Sequence, residues 1–397
     1  MIDNYNLVQL VNPLQTWFQS NARVLPWREN PTAYYVWISE IMLQQTRVEA
    51  VKPYFDRFIR ELPDVKALAE CPEDKLLKLW EGLGYYNRAR NLKIAANQII
   101  DQYGGVIPDE YEELLKLKGI GHYTAGAIAS IAYGKAVPAV DGNVLRVISR
   151  VTADDSDIMK QSVRTHMEEK LQELMNADLR KNETCKPTTE VTDKVIPSIF
   201  NQALMELGAT VCLPNGAPRC EVCPWHDLCE ARKQDRIAEI PVKTKAKARR
   251  IEKRTVFIIK DGEQLALRKR PGKGLLAGLY ELPNVEGYLT EQEAVAYIEA
   301  QGYIPIRIQP ACEAKHIFSH VEWHMKGYVV FLQAQEFAGA EQIGESELQM
   351  SHMPENPQNW LFVDVEDTKE NYAIPSAFVK YAEYLNMTIG KDAIEKT

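Results

Sequence analysis

Apolar residues recur every three to four positions through much of residues 7–235, as at Leu76, Leu77, Trp80 and Leu83, and again at Leu114, Leu115 and Leu117. That spacing gives a helix one apolar face. Breaks are expected at Pro53, Pro63, Pro72, Gly104-Gly105 and Pro108, because proline lacks an amide hydrogen and glycine is costly to hold in a helix. Beyond residue 254 the pattern changes. Residues 254–260 (RTVFIIK), 264–270 (QLALRKR) and 326–334 (KGYVVFLQA) are short runs suited to strands, and helical stretches sit near 291–301 and 375–386. The expectation is an all-α N-terminal half and an α+β C-terminal domain. Residues 152–195, with DDSD and KNETCKPTTEVTDK, are polar and read as an irregular excursion from the helical body. No internal repeat appears.

The chain has 397 residues, 45% of them hydrophobic. That length suits two or three domains, each with a sizeable core. No run of eighteen apolar residues is present, so no membrane-spanning helix is expected. The N-terminus lacks a basic segment followed by an apolar block, so a cytoplasmic protein is expected. The net charge of −8 would ordinarily argue against a nucleic-acid partner. Its distribution undoes that argument. Residues 1–150 sum to zero and residues 1–240 to −5; residues 241–254 (PVKTKAKARRIEKR) carry +6, and residues 261–397 carry −10. The basic stretch reads as a solvated linker, which is compatible with its also touching phosphates.

Of seven cysteines, Cys71, Cys185 and Cys312 are isolated, whereas Cys212, Cys220, Cys223 and Cys229 follow C-x7-C-x2-C-x5-C. In a cytoplasmic chain this is not a disulfide framework. Four thiolates on a short loop suit zinc or an iron–sulfur cluster. Zinc usually takes two close pairs; only one pair is close here, so the spacing favours a 4Fe–4S cluster, with zinc or no metal as the alternatives. The three isolated cysteines read as ordinary thiols.

Residues 117–125 (LKGIGHYTA) follow one helical run and open another. Gly119 and Gly121 flank one aliphatic residue, a turn whose amides, with His122, can face an anion such as a DNA phosphate. Eighteen residues after Tyr123 stands Asp141-Gly142-Asn143-Val144, and the cysteine cluster follows about seventy residues later. This order resembles the helix–hairpin–helix DNA glycosylase superfamily with an iron–sulfur loop, as in endonuclease III. Residues 39–46 (SEIMLQQT) and 80–86 (WEGLGYY) resemble its adenine DNA glycosylase branch, the MutY family. The first cysteine spacing, x7 against the family's usual x6, and the long 152–195 segment depart from the pattern.

The resemblance implies a multidomain fold. An all-α helix–hairpin–helix glycosylase (a six-helix barrel plus a 4Fe–4S cluster domain) precedes an α+β Nudix/MutT-like domain. The expected boundaries are 1–235 for the helical body, with about 30–136 as the six-helix domain and 1–29 with 137–235 as the cluster domain. Residues 236–253 form the linker and 254–390 the MutT-like domain. The implied partner is double-stranded DNA containing adenine opposite 8-oxoguanine or guanine, bound by a monomer at the nucleoid.

Breaking a purine glycosidic bond requires an acid for the leaving base and a carboxylate for the sugar cation. Glu40 and Asp141 are the candidates. Glu40 lies in an apolar helix, where desolvation raises a carboxyl pKa, as suits the acid. Asn143 can orient Asp141 by a hydrogen bond. By resemblance, Glu40 protonates N7 of adenine, and Asp141 stabilises the cation or forms a transient adduct. Where bifunctional relatives carry a Schiff-base lysine, this chain has Tyr123, implying base removal without strand cleavage. The extruded base would leave a gap that Gln45 and Tyr85 fill by resemblance, with Leu43 and Leu83 nearby. Arg28, in Leu25-Pro26-Trp27-Arg28, and Gln202 match positions that line the adenine pocket.

Residues 274–283 (GLLAGLYELP) resemble the MutT-like domain attached to this glycosylase. A working Nudix hydrolase needs several carboxylates on one helix to hold Mg²⁺. Residues 295–302 (VAYIEAQG) retain one of them, Glu299, so the domain is expected to bind rather than hydrolyse. Phe318-Ser319-His320 stands where the family reads 8-oxoguanine. His316 and His324 read as strand-face residues. The rivals are an endonuclease III-like glycosylase with AP-lyase activity, a non-catalytic lesion-binding protein, and a Nudix hydrolase.

Overall fold

A computed structural model describes residues 2–177, 195–244, 248–333 and 360–385. Cys185 and part of the polar 152–195 segment lie outside the described residues. The chain divides into two compact units, Met1–Cys71 with Asn91–Ala246, and Pro72–Arg90 with Lys247–Thr397.

The first unit is helical. Its helix Ala33–Leu43 starts at Thr32, whose side chain accepts the Tyr35 amide at 3.2 Å, as an N-cap does. Residues around its whole circumference are buried, among them Tyr34, Val36, Trp37, Ile38 and Ile41. A helix so apolar on every side belongs inside a protein. Pro53, expected to break a helix, instead lies within the helix Val48–Glu61. The strongly amphipathic sequence around it buries Val51, Tyr54, Phe55 and Phe58, and that packing outweighs one missing amide bond. Gly104 and Gly105, both at positive φ, do end the helix Asn87–Tyr103. The expectation of an irregular 152–195 is corrected in part. Residues Gln161–Met175 form a helix that buries Met167, Leu171, Leu174 and Met175, so sparse apolar residues at helical spacing sufficed.

The core of this unit joins segments distant in sequence. Leu10, Val11 and Leu14 meet Val144, Leu145 and Ile148, Phe200, Leu204 and Leu207, and Trp225. The Trp225 indole donates to the Leu10 carbonyl at 2.9 Å. The cysteine loop is thereby tied to the chain's first helix.

The second unit holds a seven-stranded mixed sheet of β1 (Arg250–Asp261), β2 (Gln264–Lys269), β3 (Tyr280–Glu281), β4 (Asn284–Glu286), β5 (Pro305–Ile317), β6 (Val321–Leu332) and β7 (Trp360–Asp364). Its order is β3-β2-β1-β6-β5, with β4 on β1 and β7 on β2. β1 runs parallel to β6, Arg250 facing Val321 and Lys260 facing Phe331. One face packs Ile258, Leu267, Trp323 and Phe378; the other packs Phe257, Ala266, Val330 and the helix Glu291–Ala300 through Ala294 and Ile298. That helix begins with a Thr290–Glu293 capping box. The expected 375–386 helix is three short turns, Ser376–Phe378, Val379–Ala382 and Glu383–Leu385.

Residues 72–90 belong to this unit through polar contacts. The Lys78 ammonium donates to the carbonyls of Thr368 (2.9 Å) and Tyr372 (3.1 Å) and to Glu81 Oε2 (2.5 Å). Glu81, 5% exposed, accepts the Ile374 amide at 2.9 Å. Arg90 donates to the Ala277 carbonyl, and Lys269 to Asp74 at 2.9 Å. Breaking a buried ion pair costs more than its formation contributes, because the survivor is stranded. Glu81→Ala should therefore lower the stability of this unit by about 3 kcal/mol, read as an earlier urea transition in near-ultraviolet circular dichroism. Glu81→Gln should cost less.

Candidate active site

Glu40 sits on the last turn and a half of the buried helix Ala33–Leu43 and is 6% exposed. Its Oε2 accepts a short hydrogen bond from the Tyr123 hydroxyl, which also lies 3.1 Å from the Met205 sulfur. Burial, reinforced by the negative charge of Asp141, pushes the Glu40 carboxyl up to about 7, against the opposing pull of Tyr123 and Arg28. Apolar flanks dictate this: without water, the charged form loses most of its solvation. Burial and the neighbouring carboxylates hold the Tyr123 phenol well above its usual range.

Asp141 caps the helix Gly142–Thr152. Its Oδ1 accepts the Asn143 and Val144 amides at 2.8 Å each, and its Oδ2 accepts Asn143 Nδ2 at 2.8 Å. Burial raises its pKa, opposed by these three bonds and by Arg146. The helix N-terminus favours the anion as well. Asn143 is held in turn by Arg146 Nη2, 2.9 Å from its Oδ1, while Arg146 Nε donates to the Cys212 carbonyl at 2.9 Å. A Cβ on Gly208 would fall 2.6 Å from the Asn143 Cβ, so glycine permits this approach. The strand of chain leading to Asp141 is fixed by Asn201, which accepts the Ala139 amide at 3.1 Å and donates to the Val137 carbonyl at 2.8 Å.

Arg28 donates to Glu206 Oε2 at 2.9 Å and to the Arg23 carbonyl at 3.1 Å. Gln202 lies one turn before Glu206 on the helix Pro197–Thr210, where its amide donates to the Ser198 carbonyl at 3.1 Å. Sequence reasoning missed Glu206, Arg23, Met205, Arg146 and Asn201. The helix Pro197–Thr210 carries no motif at Met205 or Glu206, and these contacts cross up to 183 positions, so nothing local signals them.

Gln45 and Tyr85 both adopt left-handed backbone, φ 59° and 47°. Non-glycine residues hold that conformation at a cost of about 1 kcal/mol or more, a pattern common at functional sites. Both are exposed, Tyr85 at 49%. Leu43 is half-buried. Leu83, which the resemblance puts near the duplex, is 5% exposed. In the hairpin, Leu117 and Ile120 are buried while Gly119, Gly121 and His122 are exposed. Gly119 has φ +81°, and a Cβ there would meet Asn91 at 2.7 Å. His122 Nδ1 lies 2.7 Å from the Tyr111 hydroxyl.

Cys212, Cys220, Cys223 and Cys229 line one cavity together with Arg150, His226 and Arg232. Arg150 Nη1 lies 3.3 Å from the Cys212 sulfur. Burial, with the three neighbouring cysteines, pushes the Cys223 thiol up to about 12, and burial also raises Cys220 and Cys229. Among the described residues, no three His, Cys, Asp or Glu side chains are close enough to hold a single metal ion. Cys71 is buried and Cys312 half-buried.

Phe318-Ser319-His320 forms the turn between β5 and β6, closed by the Phe318 amide on the Val321 carbonyl at 2.8 Å. Phe318 packs edge-on against Trp323 at 5.0 Å. Ser319 Oγ lies 3.0 Å from the Tyr85 hydroxyl, and His320 is exposed. His316 lies on β5 and His324 on β6. On the helix Glu291–Ala300, Glu299 is exposed and Glu293 is engaged in the capping box. Among the described residues no helix is long and apolar enough to cross a membrane.

Residues 38–173 match the HhH-GPD superfamily of base excision DNA repair proteins, and residues 255–384 match the NUDIX domain. A mouse protein named adenine DNA glycosylase is 34% identical over 377 residues, spanning 80% of this chain and 70% of its own length. A second so named, from Buchnera aphidicola (Acyrthosiphon pisum strain APS), is 32% identical and spans 80% of this chain and 85% of its own. The solved structure of a thermostable thymine-DNA glycosylase is similar at a TM-score of 0.46 and 27% identity, covering 57% of this chain and 96% of its own.

Because the Tyr123 hydrogen bond pulls the Glu40 pKa down, Tyr123→Phe should raise it further above about 7. Infrared difference titration of the protonated carboxyl, with Glu40→Gln as the blank, measures this. A fall in Tyr123→Phe would contradict the assignment of the bond.

Proposed function

The chain belongs to the adenine DNA glycosylase family of base excision repair enzymes, and on that premise we propose that it excises adenine opposite 8-oxoguanine or guanine without cutting the strand. The single observation that carries the mechanism is the buried Glu40 carboxyl, poised at about 7 beside Asp141. A general acid works best with a pKa near the operating pH. Protonated Glu40 gives its proton to N7 of the extruded adenine. The C1′–N9 bond then breaks with its electron pair passing to the base. The Asp141 carboxylate, oriented by Asn143, faces the sugar cation that remains, and water completes the hydrolysis. Tyr123 has no amine with which to form a Schiff base, which supports base removal alone. Arg28 and Gln202 are the proposed adenine contacts, an amide suiting adenine's paired donor and acceptor.

The strained, exposed Gln45 and Tyr85 suit residues that enter the gap left by the flipped base. Gly119, Gly121 and His122 offer exposed backbone and a ring to a phosphate. Phe318, Ser319 and His320 are the proposed 8-oxoguanine readers, with Leu43 at the duplex. The exposed Glu299, with Val295 and Ala296 one turn before it in place of carboxylates, supports binding over pyrophosphate hydrolysis.

Four cysteines around one cavity, spaced C-x7-C-x2-C-x5-C with only one close pair, suit a 4Fe–4S cluster better than zinc. Cys212, Cys220, Cys223 and Cys229 would hold it, and its positive irons would keep their thiolates deprotonated. We further propose a monomer acting at the nucleoid, with helical body 1–235, linker 236–253 and lesion-reading domain 254–390.

A labelled duplex with adenine opposite 8-oxoguanine tests the reading. Strand breakage should appear only after alkali; breakage without it favours a lyase. Glu40→Gln should abolish excision while retaining binding. Ser319→Ala should chiefly erode the preference for 8-oxoguanine over guanine. Purified protein should absorb visible light as an iron–sulfur protein does; a colourless, zinc-bearing protein rejects the cluster.

A further inference from the structure

Glu206 has the most complete set of partners of any acid near the site. Its side chain is 1% exposed. Oε1 accepts Arg23 Nε at 2.6 Å and the Arg23 amide at 3.3 Å; Oε2 accepts Arg23 Nη2 at 3.0 Å and Arg28 Nη2 at 2.9 Å. Arg28 is fixed a second time by the Arg23 carbonyl and lies over the Phe18 ring at 5.3 Å. Five donors on a guanidinium exceed what these two acceptors use, so Arg28 can still offer hydrogen bonds to a base.

The charges around Glu40 come from separate elements. Arg28 enters from the short helix Pro26–Glu29, Tyr123 from the helix His122–Ala127, and Asp141 from the cap of Gly142–Thr152. Behind Arg28 stand Arg23 and Glu206, with Glu49 acting on Arg23. Glu49 is itself paired with Lys52 at 2.9 Å, so Arg23, Arg28 and Glu206 leave one net positive charge. Without Glu206 there would be two.

From this geometry we infer that Glu206 is a positioning residue with an electrostatic role: it aims Arg28 at the base and cancels one arginine charge, so that Glu40 keeps its proton at working pH. The inference rests on Glu40 being the acid. The helix Pro197–Thr210 thereby serves the base twice, through Gln202 and, one turn on, through Glu206 acting on Arg28.

The test is the pH dependence of single-turnover excision from a duplex with adenine opposite 8-oxoguanine, using the full-length protein. If Glu40 acts protonated, the rate falls as pH rises through its pKa. Glu206→Gln adds one net positive charge and should move that midpoint down by about half a unit, so that the rate above the midpoint falls about threefold. Arg23→Gln removes one positive charge and should move the midpoint up. The double variant should return it towards the wild type. Lost packing cannot produce opposite shifts from two partners of one ion pair. Midpoints that stay fixed while rates fall at every pH, or that shift in the same direction, overturn the inference. Should Glu206→Gln fail to fold, Arg23→Gln alone decides by the sign of its shift. Glu40→Gln separates the two failures: if it still excises adenine, the acid assignment itself is wrong.

Discussion

Hydrogen-bond donors are allotted unequally among three carboxylates, and the proton affinities of Glu40, Asp141 and Glu206 depend on that inequality. Glu206 receives four donors and Asp141 three, whereas Glu40 receives the Tyr123 hydroxyl. All three are withdrawn from water, so burial alone would raise each pKa. Donors oppose that effect, fully only at Glu206. Glu206 is held below its ordinary value, Asp141 stays above its own despite three bonds, and Glu40 is left near 7. Three carboxylates withdrawn from water thereby differ in how readily they hold a proton.

Such an allotment requires backbone to be delivered from far along the chain. Asp141 owes its place to Asn201, sixty-odd positions on, which gathers the Val137 carbonyl and the Ala139 amide. Two glycines allow the close approaches. A Cβ on Gly126 would lie 2.2 Å from the Pro138 carbonyl oxygen, and one on Gly208 would press into Asn143. The Asn143–Arg146–Cys212 contacts run from the caps of the active-site helix to the cysteine loop. Changes in that loop therefore reach the Asp141 carboxylate through two side chains, Arg146 and Asn143.

The fold class was legible because amphipathic spacing and β-branched runs are local properties. The glycine turn at Gly119 and Gly121 and the spacing of the four clustered cysteines were legible for the same reason. What escaped was set by tertiary packing. Pro53 stays inside a helix because its buried face outweighs one lost bond. Gln161–Met175 folds although its segment is mostly polar. Strands β5 and β7 were missed because their outward-facing sides are polar or exposed, blurring the alternation. Glu206 was invisible for a different reason. An ion pair across 183 positions leaves no periodicity in either partner.

Residues 72–90 carry a consequence for modularity. The chain passes between its two units at three points, near residues 71, 90 and 246, and not only through the basic linker. A cut at the linker would not yield two self-sufficient pieces. It would strip Lys78 of the Thr368 and Tyr372 carbonyls and Glu81 of the Ile374 amide, leaving their ion pair without the backbone groups that complete it. Recombination of the helical unit with another C-terminal domain would have to carry the 72–90 segment's partners along with it. Inheritance of the two halves is coupled by a few buried polar atoms, whatever the length of the tether between them.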